Sequence, residues 1–225
     1  MHNDSSKASH SGGPRTRQLH RQLKTPKSAG IWNNGFGREA STVRVMHVEA
    51  PPTHTVAHTV NRLVIDTDTA FDDVLERYES LVPMVDFAKL TRLVLSGDLS
   101  RVKQYTDEHA PHTFVNFWTF DPTPQMMKLF GHQTRVVTYM MGNNVIVERM
   151  FRHDPGVMLY APLRTAIYQD ADGRAHFSID QPSTRFASFG DPRIAAVGLE
   201  LDTKLAEILR LMSMPVPAEL QHNGP

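Results

Sequence analysis

Apolar positions fall into regular patterns only from about residue 56 onward. The stretch 58–66 (HTVNRLVID) alternates and is rich in β-branched residues, which predicts a first strand. Asp68 or Thr69 then stands where an N-cap belongs. The helix it would open runs to Leu81 with Phe71, Val74, Leu75 and Tyr78 at three- and four-residue spacing. Two weaker helical patterns follow, one around Phe87, Leu90, Leu93 and Val94 and one over 100–109, separated by Gly97-Asp98. We read 84–110 as an insertion that covers one edge of the core. Residues 113–120 (TFVNFWTF) predict a strand with Phe114, Asn116, Trp118 and Phe120 on one face and Val115, Phe117 and Thr119 on the other.

The pattern sharpens downstream. Residues 135–141 predict another strand, broken at Gly142, and Asn143 is placed to cap a short helix that reaches about Arg152 and stops before Asp154-Pro155-Gly156. Glu148 and Arg152 are spaced to pair on that helix. The stretch 158–168 reads as a strand with Leu159, Ala161, Leu163 and Ile167 on one face and Tyr160, Arg164 and Tyr168 on the other. Pro162 marks an edge position or a bulge in it. Residues 170–173 (DADG) form a hairpin turn, 175–179 return as the partner strand, and 182–184 form a loop. Asp191-Pro192 opens a long helix to about Met212, with Ile194, Val197, Leu201, Leu205, Ile208 and Met212 on one stripe.

The resulting order is strand, helix, insertion, two strands, short helix, two strands, long helix. Strands outnumber long helices, which predicts an α+β fold: an antiparallel-dominated sheet with two long helices on one face. The opposite face then needs a cover, from a homodimer partner or from the insertion. The chain divides into a basic tail (1–45) without apolar periodicity, a single domain (46–215) and a polar C-terminal tail (216–225). Trp32 and Phe36 are the aromatics of the N-terminal tail, where a short docking motif would use them.

Charge and composition then narrow the function classes. Formal net charge is zero, which argues against a nucleic-acid binder driven by bulk charge. That balance hides an asymmetry, because residues 1–44 hold eight Lys or Arg against Asp4 and Glu39. With no cysteine, thiolate nucleophiles, disulfides and Cys-based metal sites are excluded. No apolar run is long enough to span a membrane, and the N-terminus has no apolar signal core, so a cytoplasmic protein is the expectation. No nucleotide-binding glycine loop, nucleophile elbow or His-Glu-x-x-His occurs.

The candidate chemistry lies in 139–168. Arg149 and Arg164 each carry the planar fork that suits a carboxylate or phosphate, or they pair with Glu148, Asp154 or Asp180. Asn143 opens a helix and offers an anion-binding corner, or simply a cap. Tyr139, Tyr160 and Met150 would supply the walls of a pocket closed by the long C-terminal helix. His153 beside Asp154 is a candidate base or a heme or metal ligand, and otherwise a cap at a helix end. His132 is a second candidate ligand. His54 and His58 have ligand-like spacing in an extended setting. Met140, Met141, Met150 and Met158 fit a core, an apolar ligand site or a soft axial ligand.

Several motifs together resemble the bacterial and archaeal domain-of-unknown-function 302 family. They are Gly142-Asn143, Arg149-Met150, His153-Asp154-Pro155, residues 159–164 (LYAPLR), the acidic turn ending in Gly173, Pro182-Ser183, and Asp202 in the long helix. The resemblance is clearest over 113–211 and extends back to about 58. It implies a TATA-binding-protein-like α+β arrangement, β-α-β(4)-α, often dimeric. A short extra helix then lies between the strands. The family name carries no established function, so it implies no catalytic residues. Three readings follow: a dimeric binder of an anionic or amphipathic small molecule, a heme- or metal-dependent redox enzyme with a His ligand, and a structural or interaction module.

Overall fold

Among the described residues five strands form, and four of them carry the alternation that the sequence predicts, one set of side chains more buried than the other. β1 (Arg62–Ala70), β2 (Val115–Phe120), β3 (Val136–Gly142), β4 (Leu163–Gln169) and β5 (Arg174–Asp180) form one sheet in the order β1-β5-β4-β3-β2, antiparallel throughout. The computed structural model describes residues 53–221; the basic segment 1–45, with Trp32 and Phe36, and residues 222–225 lie outside them.

One face is covered by helices. α1 (Phe71–Leu81) and the long α6 (Pro192–Leu211) bury Phe71, Val74 and Tyr78 and Ile194, Val197, Leu201, Leu205 and Ile208. These pack in one cluster with Leu63, Ile65, Val137, Tyr139, Met141, Leu163, Ile167, Phe177 and Ile179 from the strands. This is the expected α+β arrangement, with both long helices on one side. α6 begins as predicted: Asp191 caps it by accepting from the Arg193 N–H, with Pro192 at the first position.

α2 (Phe87–Leu95) and α3 (Leu99–His109) are capped by Asp86 and Asp98. They close a smaller cluster of Val85, Leu90, Tyr105, Ala110 and Val115. The segment reaches the outer edge of β2, where Val85 donates to the Asn116 carbonyl and Asn116 donates to that of Pro83, both at 2.9 Å. Covering an exposed edge strand in this way removes a template for stray pairing.

Several elements depart from the sequence reading. β1 continues to Ala70, opposite Arg174, through an irregular stretch after Asp66. α1 therefore starts without a side-chain cap, and Asp68 is left to pair with Arg174 at 3.7 Å. β2 contains a bulge: Asn116 faces Met141 while Trp118 faces Met140. The extra residue switches faces, so Asn116 is buried with the core and Trp118 and Phe120 are exposed on the other side. Residues 155–162 are not strand. Pro155–Leu159 form a 3-10 turn capped by Asp154, and a cis Ala161-Pro162 bond precedes β4. Pro162 thus sits before a central strand, where no ladder hydrogen bond is lost. Pro182–Phe186, expected as a loop, is a short helix, α5. It packs so closely on α6 that a Cβ at Gly198 would lie 3.0 Å from the Ser183 Cα. Leu220 is buried, so a 3-10 turn in the segment read as a polar tail is anchored to the core.

Candidate functional site

Among the described residues no helix lies on the face of the sheet opposite α1 and α6. Three cross-strand rows of side chains make it up. Asp66, His176, Tyr168 and Val136 form the first. Val64, Ser178, Ala166, Thr138 and Phe120 form the second. In the third, Arg62 faces Asp180, and Arg164 faces Met140, which faces Trp118. The 158–162 segment rises beside the third row, and together they bound a trough of about 820 Å³. Its floor includes Val64, Ala166 and Ser178, and its rim Met158, Leu159 and Tyr160.

Charge is concentrated at one end. Arg62, Arg164 and Arg185 line the trough with a single carboxylate, Asp180. Arg185 donates to Asp180 and lays its guanidinium 4.7 Å from the centre of the Tyr160 ring. Arg62 approaches the same carboxylate at 3.7 Å and is 75% exposed. Arg164 is exposed and makes no hydrogen bond or ion pair with another described residue. Tyr160 is held edge-on against Phe186 and Phe189 and lies 3.3 Å from the His58 ring through its hydroxyl. At the far end Tyr168 stacks on His176 with 5.1 Å between ring centres, and His176 hydrogen-bonds Asp66 at 2.7 Å.

The residues predicted from sequence separate into two groups. Arg164 and Tyr160 line the trough. Met140 and Met158 line it too. Asn143, Met150, Tyr139 and Arg149 belong to the helix-covered side. Asn143 accepts from the N–H groups of Val145 and Ile146 and donates to the Thr113 carbonyl, which fully occupies it as the cap of α4 (Asn144–Phe151). Met150 is buried at 1% exposure. Tyr139 is buried and donates to Glu79 at 2.8 Å; burial, then that carboxylate, push its phenol well above the usual range. Arg149 pairs with Glu200 of α6 at 2.8 Å, a partner absent from the sequence-level alternatives, while Glu148 and Arg152 pair as spaced. The gap where 139–168 meets α6 is only about 20 Å³, room for about one water. Arg149 and Arg164 therefore do not converge on one ligand.

His153 follows α4, its N–H donating to the Met150 carbonyl. It lies near Asp191, which is held below the usual carboxylate range chiefly by Arg193 and least by His153. His132 is exposed in the loop before β3. Among the described residues no three His, Asp or Glu side chains cluster so as to hold a metal ion, and no helix is long and apolar enough to cross a membrane.

The model of the family described as domain of unknown function DUF302 matches residues 94–212. The chain belongs to this family. The DUF302 match begins near the end of α2 and runs to the end of α6. It leaves β1 and α1 upstream, although β1 completes the sheet and lines the trough. A solved structure, the uncharacterized conserved protein DUF302 from Bacillus stearothermophilus, is 17% identical with a TM-score of 0.49, over 67% of this chain and 97% of that one. No curated protein matches the sequence.

Arg62, Arg185, Ala166 and Ser178 were not singled out from sequence, and Asp180, read there as a possible partner of Arg149 or Arg164, pairs with Arg185. The alternation in 163–169 and 174–180 is the signal that would have found Ala166 and Ser178, since both sit opposite in parity to the apolar set.

Proposed function

We propose that the protein binds a small organic anion in the trough on the open face of the sheet. Arg164 carries this reading. It is a guanidinium in a concave site whose neighbouring arginines both face Asp180, Arg185 as a hydrogen-bond donor and Arg62 at 3.7 Å, whereas Arg164 has no described partner. A bidentate carboxylate or phosphate is the ligand chemistry that such a fork accepts best. The floor and rim supply apolar area for the rest of the molecule, as small-molecule sites commonly do.

A thermal-shift screen of organic anions against the full chain tests it. Hits should raise the melting temperature of the wild type and fail to do so for Arg164→Met. The unliganded melting temperature should stay within about 2 °C, because an exposed side chain is replaced by one of similar length. Hits that stabilise Arg164→Met equally would overturn the assignment.

A second reading is supported by a different part of the same face. Trp118 and Phe120 stack on each other beyond the trough, at 44% and 40% exposure, beside Met140. Exposed aromatic surface of this kind suits self-association through the sheet. Sedimentation should find a dimer that Trp118→Ser with Phe120→Ser converts to monomer; a monomeric wild type at micromolar concentration would dispose of this reading.

A further inference from the structure

We propose that the occupant of the trough is a single-ring aromatic monocarboxylate. This rests on the trough being a ligand site with Arg164 as its charge.

The number of charges follows from the pairing. Arg185 is engaged by Asp180 and by the Tyr160 ring, and Arg62 leans on the same carboxylate. One fork is left over, and one fork meets one carboxylate bidentately. A dianion or a diphosphate would need a second cation, and Arg62 would have to be shared with Asp180, which it faces at 3.7 Å.

The shape of the body follows from the floor. Ala166 and Ser178 are direct cross-strand partners, the two smallest side chains on this face of β4 and β5. They form a shallow step that larger residues bracket. On β4, Arg164 stands two residues to one side of Ala166 and Tyr168 two residues to the other, about 7 Å each way at the rise of a strand. On the β1 side Val64, 49% exposed, faces Ser178 and gives an apolar flank. A planar ring laid over Ala166 and Ser178 reaches the Tyr168 ring at the separation of an aromatic pair and directs a ring carboxylate toward Arg164. His176 stands beside Tyr168 in the same cross-strand row and stacks on it, so the far wall is two rings wide. That wall limits length. An extended aliphatic acid would meet Tyr168 after a few carbons, and an open trough would leave one side of its tail in water. A bare inorganic anion would engage Arg164 and make no use of the floor.

The test is isothermal titration of the full chain with benzoate, benzamide, hexanoate and inorganic phosphate, for wild type, Arg164→Met and Ala166→Leu. Benzoate should bind saturably, with benzamide and hexanoate weaker by about tenfold or more, since each lacks one of the two recognised features. Both variants should weaken benzoate by about tenfold or more while keeping the wild-type circular dichroism spectrum. If hexanoate or phosphate binds as tightly as benzoate and is still lost in Arg164→Met, the aromatic class is wrong and the trough remains an anion site. If Ala166→Leu leaves benzoate binding unchanged while Arg164→Met abolishes it, the ring does not lie on the floor and the proposal fails in the same way. Benzoate binding that survives Arg164→Met, or no binding by any probe, overturns the aromatic assignment and removes the support for the trough site as well.

Discussion

Replacing Asp202 by alanine is expected to lower the free energy of unfolding by about 3 kcal/mol, because a buried acceptor of two hydrogen bonds is removed and its donors are left inside. Asp202 lies on α6 with no exposed surface. It accepts from the Ser183 N–H at 2.9 Å and from the Gln181 side-chain amide at 2.8 Å. The same Gln181 amide donates to the Glu219 carbonyl, and its oxygen accepts from Asn61. One carboxylate thus ties together α6, the start of α5, the C-terminal turn and the chain leading into β1. Asp202→Asn should fall between wild type and alanine, since one amide oxygen can replace only part of the acceptor set. Urea denaturation with an unchanged slope measures the loss; a cost below about 1 kcal/mol would mean that water reaches these donors and the network is not closed.

The second large effect tests the two-sidedness of the sheet. Phe177→Ala is expected to cost about 4 kcal/mol, the usual range for truncating a fully buried aromatic ring. Phe177 has no exposed surface and packs against Tyr78, whose hydroxyl bonds Asn116 beneath the sheet. Its neighbour Ser178 points to the trough, and Ser178→Ala should change stability by less than about 0.5 kcal/mol. Adjacent positions on one strand would then differ several-fold in cost, which paired denaturation curves read directly. Similar costs at both positions would mean that the open face is covered in solution and that the trough is not available.

Much of the fold was legible because local patterns and global packing agree. The stripe in α6 persists over twenty residues, long enough for a 3.6-residue period to be unambiguous, and Asp191-Pro192 marks its start. Asn143 was readable as a cap because its backbone demand is local: a glycine ends β3 and the asparagine oxygen meets the next free N–H groups. The hairpin at 170–173 was readable for the same reason. Its Gly173 takes a φ of 82°, which only glycine adopts without strain.

The site was less legible, and the reason is parity. Tyr139 and Arg164 both lie in strands with clear alternation, yet which face each presents depends on register. Tyr139 sits opposite Thr165, and Met140 opposite Arg164; a shift of one residue would exchange the faces. The bulge at Asn116–Trp118 made such an exchange within β2, and strict alternation over 113–120 placed Asn116 and Trp118 together for that reason. Residues 158–162 read as strand because they are apolar, although they form a turn and the approach to β4 that give the trough its wall.

Sequence alone determined most of the elements, the long amphipathic helix, the cap at Asn143, the absence of thiol chemistry and the resemblance to the DUF302 family, because these depend on residues close together in the chain. The tertiary structure alone decided that a bulge parts Asn116 from Trp118, that Arg149 is neutralised by Glu200, and that Arg164 shares a trough with Arg62 and Arg185. Those relations depend on register and packing between distant segments, and no local pattern carries that information.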